Sequence, residues 1–186
     1  MTGSGLRRAG WLAMVSAIST LPLFWWSVTI RADKNLSERI TEAAIQVAGT
    51  ALFVILSLLF RRLLRQRHRF HGVDRIIDLL IISNLLIGVL SLIGTAVPAL
   101  AESVGMVLVP VAVAMGILQA RFGYLLLALP VDLGGLRTPY AYLNMVAGIC
   151  LASIVLVPVA IIAGAIADVM LGTIFFQSAR SISTTA

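Results

Sequence analysis

Three charged side chains stand inside long apolar runs of the sequence, at Asp78, Arg121 and Asp168. A charge surrounded by lipid is costly, so such residues usually face other helices or a water-filled cavity. Asp78 lies about one turn into its run and Arg121 about two turns from the end of the next, within reach of an arginine side chain. We therefore predict an ion pair between Asp78 and Arg121. This pair either holds two helices together or belongs to a path for a proton or a solute. The alternative is that the arginine only reaches the lipid headgroups.

The third charge, Asp168, belongs to a series of small residues spaced four apart in the last apolar run: Ala160, Gly164, Asp168 and Gly172. This spacing places the four residues on one helix face, where a second helix can approach closely. The stripe is therefore predicted to be a packing surface. The carboxylate is expected near the outer membrane boundary, paired with a loop Arg or Lys, and the alternative is a proton or cation site. Three single amides are predicted to form helix-to-helix hydrogen bonds: Asn84, Gln119 and Asn144.

A dense basic segment follows the second apolar run and contains five arginines: Arg61, Arg62, Arg65, Arg67 and Arg69. We expect this segment to extend the helix beyond the membrane, with Leu63 and Leu64 as an apolar ridge beside the charges. It would bind anionic lipid headgroups, at about 1 kcal/mol per basic residue, or dock an acidic soluble partner. A dozen residues beside a membrane are a weak footprint for nucleic acid. His68 and His71 have a metal-compatible spacing, but the surrounding positive charge opposes a cation, so no metal site is expected.

Motifs of enzymes are absent from the sequence, which contains no G-x-S-x-G, no H-E-x-x-H and no Walker loop. Its single cysteine, Cys150, can form no internal disulfide and has no CxxC neighbour. The sequence also lacks clustered carboxylates suited to acid and base catalysis. We therefore expect no catalytic activity and no cofactor.

The overall composition is that of an integral membrane protein, with 60% apolar residues, 12% charged residues and a mean hydropathy of +1.03. Polar surface is too scarce to cover a soluble chain of 186 residues. The prediction is an all-α, polytopic transmembrane helix bundle that forms one domain over residues 1–186, with no soluble domain.

Five spans are predicted, with four as the alternative: residues 11–30, 42–60, 76–97, 106–129 and 143–167, the second followed by a basic cytoplasmic extension over 61–72. Asn35 and Glu38 form a capping-box pattern, which predicts a helix start near Leu36. The last apolar run, from Leu143 to Phe176, would reach about 50 Å as one helix, longer than the roughly 30 Å hydrocarbon layer. It must tilt or break near Pro158 or Gly164.

The arginines and lysines predict an N-terminus in the cytoplasm. Five spans would place the C-terminus outside, and four spans would place it inside. In this orientation nine basic residues face the cytoplasm, namely Arg7, Arg8, Arg61, Arg62, Arg65, Arg67, Arg69, Arg75 and Arg137. The opposite side has Arg31, Lys34, Arg39 and Arg180.

These features favour a small, non-catalytic subunit, anchor or sensor of a bacterial inner membrane. Such a protein would present the basic segment to a soluble partner or to anionic lipid and would pack against other subunits or a second copy of itself. The alternative is a small channel or transporter subunit with a polar path through Asp78, Arg121 and Asp168. Ion flux in liposomes would distinguish the two.

Overall fold

The structure is a computed structural model that describes residues 3–29, 35–68, 70–130 and 132–183. These residues form no strand and fold into six α-helices: α1 (Gly3–Thr29), α2 (Leu36–His68), α3 (Asp74–Ala96), α4 (Ala101–Leu127), α5 (Arg137–Ala152) and α6 (Val157–Ser183). Short 3-10 turns over Pro98–Leu100 and Leu133–Gly135 precede α4 and α5. The all-α prediction is confirmed.

Four helices in the described part of the chain are long and apolar enough to cross a membrane: Leu36–Gln66, Asp74–Ala96, Pro98–Leu127 and Val157–Ser181. Their composition agrees with an integral membrane protein, because a span needs about 20 predominantly apolar residues. The start of the first of them follows the capping-box pattern, since the Asn35 backbone N–H donates to Glu38 Oε2 at 3.0 Å.

The long final apolar run is divided into two helices by a tight turn between Ala152 and Val157. Ile154 adopts a positive φ of 61°, and Ser153 Oγ caps both sides of the turn by donating to the Cys150 carbonyl and accepting from the Leu156 N–H. Pro158 is the second residue of α6, where a missing N–H costs no helical hydrogen bond. The run predicted over 143–167 therefore breaks near Pro158.

Helices α5 and α6 form an antiparallel hairpin, so α6 ends at the same end of the bundle where α1 begins. Gly134, just before α5, lies against the Gln177 side chain near the end of α6. Gly3 at the start of α1 lies close to the Ala179 carbonyl of α6. Five spans would place the start of the first helix and the end of the last at opposite ends of the bundle, but the hairpin adds one more reversal of direction and brings them to the same end.

Close helix contacts in the second half of the bundle depend on glycine. A Cβ at Gly148 of α5 would lie 2.4 Å from the Ala120 nitrogen of α4, and a Cβ at Gly116 would lie 2.6 Å from the Gly148 carbonyl oxygen. Both atoms belong to the backbone and cannot rotate away. The two helices can therefore touch along their main chains, as small-residue contacts allow in membranes.

Candidate functional site

A cavity of about 430 Å³ lies inside the bundle and is lined by residues from all six helices. Three phenylalanines, Phe53, Phe60 and Phe122, form part of its apolar wall. The polar residues that line it are Ser16, Thr20, Ser57, Asn84, Gln119, Tyr140, Asn144 and Asp168. The volume falls within the range of about 300 to 1,000 Å³ that is typical of small-molecule sites.

Asp168 is the carboxyl of this cavity. Ser16 Oγ of α1 donates to Asp168 Oδ2 at 2.7 Å, and within the described ranges no Lys or Arg lies at ion-pair distance from it. The expectation of a boundary carboxylate paired with a loop Arg or Lys is not met. The turn before Val157 explains the difference. Because α6 begins at Val157, about 16 Å along the helix axis from Asp168, the carboxyl lies near the middle of the helix.

The small-residue stripe on α6 has two different environments. Gly172 packs against α1, where a Cβ would lie 3.0 Å from Met14 Cε and 3.1 Å from the Gly10 carbonyl oxygen. Gly164 has nothing within 4 Å of such a Cβ and borders the cavity, as does the buried Ala160. The stripe is therefore a packing surface at one end and a cavity wall at the other.

The described hydrogen bonding of Asn144 and Asn84 does not join helices as predicted. Asn144 is buried and its Nδ2 donates to the Tyr140 carbonyl of its own helix at 2.9 Å. Asn84 Oδ1 is buried and accepts no hydrogen bond from the part of the chain that is described. Buried acceptors are nearly always hydrogen-bonded, so this oxygen is suited to a donor that enters the cavity.

The predicted ion pair between Asp78 and Arg121 is not formed. Arg61 of α2 donates through Nη1 to Asp78 and through Nε to Asp74 Oδ1, the latter at 3.3 Å. Arg121 lies exposed on α4. The reason is geometric: α2 and α3 are also adjacent antiparallel helices, and Arg61 lies opposite Asp78 at the same depth. Asp78 and Arg121 are therefore absent from the cavity wall.

The basic segment is partly neutralised. Besides Arg61, Arg65 donates through Nε to Asp74 Oδ2 at 2.8 Å. Leu63 and Leu64 are 2% and 0% exposed, so they belong to the core and form no outer ridge. They face inward because this end of α2 still packs against the core of the bundle, in the same cluster as Phe60 and Phe122.

Two exposed features of the segment lie on its outer side. Arg62 is exposed, and a groove of about 460 Å³ is lined by Ile55, Leu58, Leu59, Arg61, Arg62 and Arg65. The description of the segment does not extend to three of its side chains, those of Arg67, His68 and Arg69.

Sequence reasoning missed the contributions of Ser16 and Tyr140 to the cavity. The sequence does hold a signal for Ser16. In α1, Ala9, Ala13 and Ala17 recur every four residues, and all three are buried. That face complements the small-residue stripe of α6, and Ser16 lies beside it. Tyr140 had no such signal, because it follows a loop and begins a short helix.

Comparison of the chain with protein-family models, with curated proteins and with solved structures gave no match.

Proposed function

We propose that the protein is a small membrane carrier that binds a solute in the cavity between its six helices and moves it across the bilayer. The observation that carries this proposal is Asp168, a carboxyl near the middle of α6 that faces a cavity of about 430 Å³. Carboxyls in such positions are expensive and mark ion or substrate paths. Binding sites of secondary transporters also lie near the bilayer midplane.

The path differs from the one expected from the sequence. Asp78 is held by Arg61, and Arg121 is exposed, so neither is included in the proposed site. The solute would instead contact Asp168, the unpaired Asn84 oxygen and the aromatic wall around Phe60. The proposal assigns no bond-making chemistry to these residues.

The test is solute uptake into proteoliposomes by wild-type protein and by a variant whose cavity is filled. No atom lies within 4 Å of a Cβ added at Gly164, which lines the cavity. Gly164→Phe therefore places a ring in the cavity without displacing its neighbours. Gly105→Phe is the matched control, because this glycine also has nothing within 4 Å but does not line the cavity. Three classes of small aromatic solute are offered separately: cationic, neutral and anionic.

We expect uptake of at least one class by the wild type and by Gly105→Phe, and its loss in Gly164→Phe. The carrier proposal is wrong if no class enters faster than into protein-free liposomes. It is equally wrong if both phenylalanine variants transport as the wild type does.

A second candidate function is favoured by the exposed Arg62 and its groove. We propose that this surface binds anionic lipid headgroups or an acidic soluble partner, as an anchor, sensor or subunit of a larger assembly would. Arg62→Gln should reduce the amount of anionic lipid or protein that co-purifies in detergent. Arg121→Gln, which removes another exposed arginine outside the groove, should not. Equal yields from both variants would eliminate this function.

Concerning location, we propose the cytoplasmic membrane of a bacterium, with the N-terminus of α1 in the cytoplasm. Support comes from the bias of basic residues toward that side. The C-terminal end of α6 lies beside the start of α1, so Arg180 adds to the same bias. Contacts with further subunits or a second copy would use the exposed apolar faces of the helices.

A further inference from the structure

We infer that the solute of the cavity is a small organic cation, which Asp168 binds in exchange for a proton. This inference rests on the proposed carrier function and adds the chemical class of the substrate and the coupling ion. The charges, aromatic rings and oxygen atoms that line the cavity together with Asp168 support it.

The cavity wall has one acidic residue and no Lys, Arg or His among the residues that line it. Helices α1 and α5 pack against α6, and they bring Ser16 and Tyr140 toward the carboxyl. The charged residues of α1, Arg7 and Arg8, lie exposed more than two turns before Ser16. On α5, Arg137 donates to the Leu129 carbonyl, away from the cavity.

Among the described residues, therefore, no Lys or Arg compensates the charge of Asp168. A carboxylate that is removed from water without a partner is unstable, and it must carry a proton or pair with a cation from outside. An anionic solute would add repulsion, and a neutral solute would leave the charge uncompensated. A cationic solute supplies the missing partner.

The other groups in the cavity favour an organic rather than an inorganic cation. Phe60 packs edge-on against Phe122 and Tyr140, with ring centroids 6.2 and 5.6 Å apart, and forms an aromatic wall for an apolar body and a nearby positive charge. Ca²⁺ and Mg²⁺ take six or more oxygen ligands. Ser16 Oγ is the oxygen that the described residues place at hydrogen-bond distance from the carboxyl.

The exchange conserves charge. When the cation enters, the proton leaves an Asp168 oxygen for the aqueous phase, and the carboxylate forms an ion pair with the cation. When the cation leaves, a proton returns to the same oxygen. Ser16 donates to Oδ2 and holds the carboxyl in place during both states. No covalent bond of the solute forms or breaks.

The experiment uses purified full-length protein in phosphatidylcholine nanodiscs and isothermal titration with three probes. These are benzyltrimethylammonium as the cation, benzyl alcohol as the neutral compound and benzylsulfonate as the anion. Titration in two buffers with different ionisation enthalpies measures the protons released per cation bound. We expect binding of the cation with release of close to one proton under mildly acidic conditions.

Asp168→Asn should weaken cation binding by about tenfold or more, the size of one lost charged contact, and abolish proton release. Asp168→Glu retains the carboxyl and should retain proton release. Asp78→Asn is the matched control, because its carboxylate is held by Arg61 outside the cavity. If Asp168→Asn does not fold, Ser16→Ala keeps the charge and should bind the cation more weakly with proton release intact.

The cation inference is overturned if the neutral or anionic probe binds in place of the cation and Gly164→Phe blocks that binding. It is also overturned if Asp168→Asn binds the cation as the wild type does. In both cases the carrier proposal survives. Identical binding of all three probes by the wild type and by Gly164→Phe would, like the uptake results given above, make the carrier proposal itself wrong.

Discussion

Replacing Gly148 by alanine should separate α4 from α5, although the change adds only one methyl group. The added Cβ would lie 2.4 Å from the Ala120 nitrogen, 2.5 Å from the Gly116 carbonyl oxygen and 2.9 Å from Ala120 Cα. Ordinary contact begins at 3.4 Å, and all three atoms are backbone. The helices must therefore move apart by about 1 Å at this point, since no side-chain rotation can relieve the contact.

The change in the free energy of unfolding caused by Gly148→Ala is the sum of two opposing contributions. Overpacking of a well-packed interface typically costs about 1 to 3 kcal/mol. Alanine also raises intrinsic helix stability over glycine by up to about 1 kcal/mol. Gly105→Ala isolates the second term, because it lies in α4 and has nothing within 4 Å of the new Cβ. The difference between the two variants should thus equal the contact term, about 1 to 3 kcal/mol in favour of Gly105→Ala.

The assay is equilibrium unfolding in mixed micelles, with the free energy of unfolding compared between wild type and the two variants. Gly148→Ala should be the least stable of the three proteins. If Gly148→Ala and Gly105→Ala unfold with the same free energy, the main chains of α4 and α5 do not touch as described. The part of the cavity wall that α5 forms would then also lie at a different distance from α4.

Three further outcomes are expected. Arg61→Gln should lower the free energy of unfolding by about 1 to 3 kcal/mol, since it removes charged hydrogen bonds to two carboxylates, whereas Arg121→Gln should leave the same equilibrium-unfolding measurement unchanged. After Cys150 is replaced, single cysteines at Glu102 and Ser181 should react with an impermeant reagent from opposite sides of the membrane; labelling of both from one side would contradict the antiparallel hairpin. Calorimetric titration should show that affinity for benzyltrimethylammonium falls as the pH is lowered, because protons compete for the cavity carboxyl, and a pH-independent affinity would contradict the exchange.

The fold was predictable as far as composition and local signals determine it. Four long apolar helices follow from hydropathy, and the start of α2 follows from Asn35 and Glu38. Pro158 marked the break in the last run. The length of α5 was not predictable, because its 16 residues end at a turn whose left-handed Ile154 has no residue preference that would identify it.

The site was harder to predict because its contacts join residues far apart in the chain. Asp78 was predicted to pair with Arg121, whereas its partner in the structure is Arg61, and hydropathy does not indicate which helix face each arginine occupies. The depth of Asp168 depended on where α6 begins, and its partner Ser16 is 152 residues away. Such pairings depend on tertiary packing and leave little trace in local patterns.

The contact between Ser16 and Asp168 also imposes an order on biosynthesis. At a translation rate of about 5 to 20 residues per second, roughly 8 to 30 s separate the synthesis of these two residues. During that interval the small-residue face of α1 has been synthesised but has no α6 to cover it. A chain that stops before Val157 would never cover this face, so α6 completes the bundle as well as its cavity. Nascent chains that stall before α6 should therefore be substrates for membrane quality control.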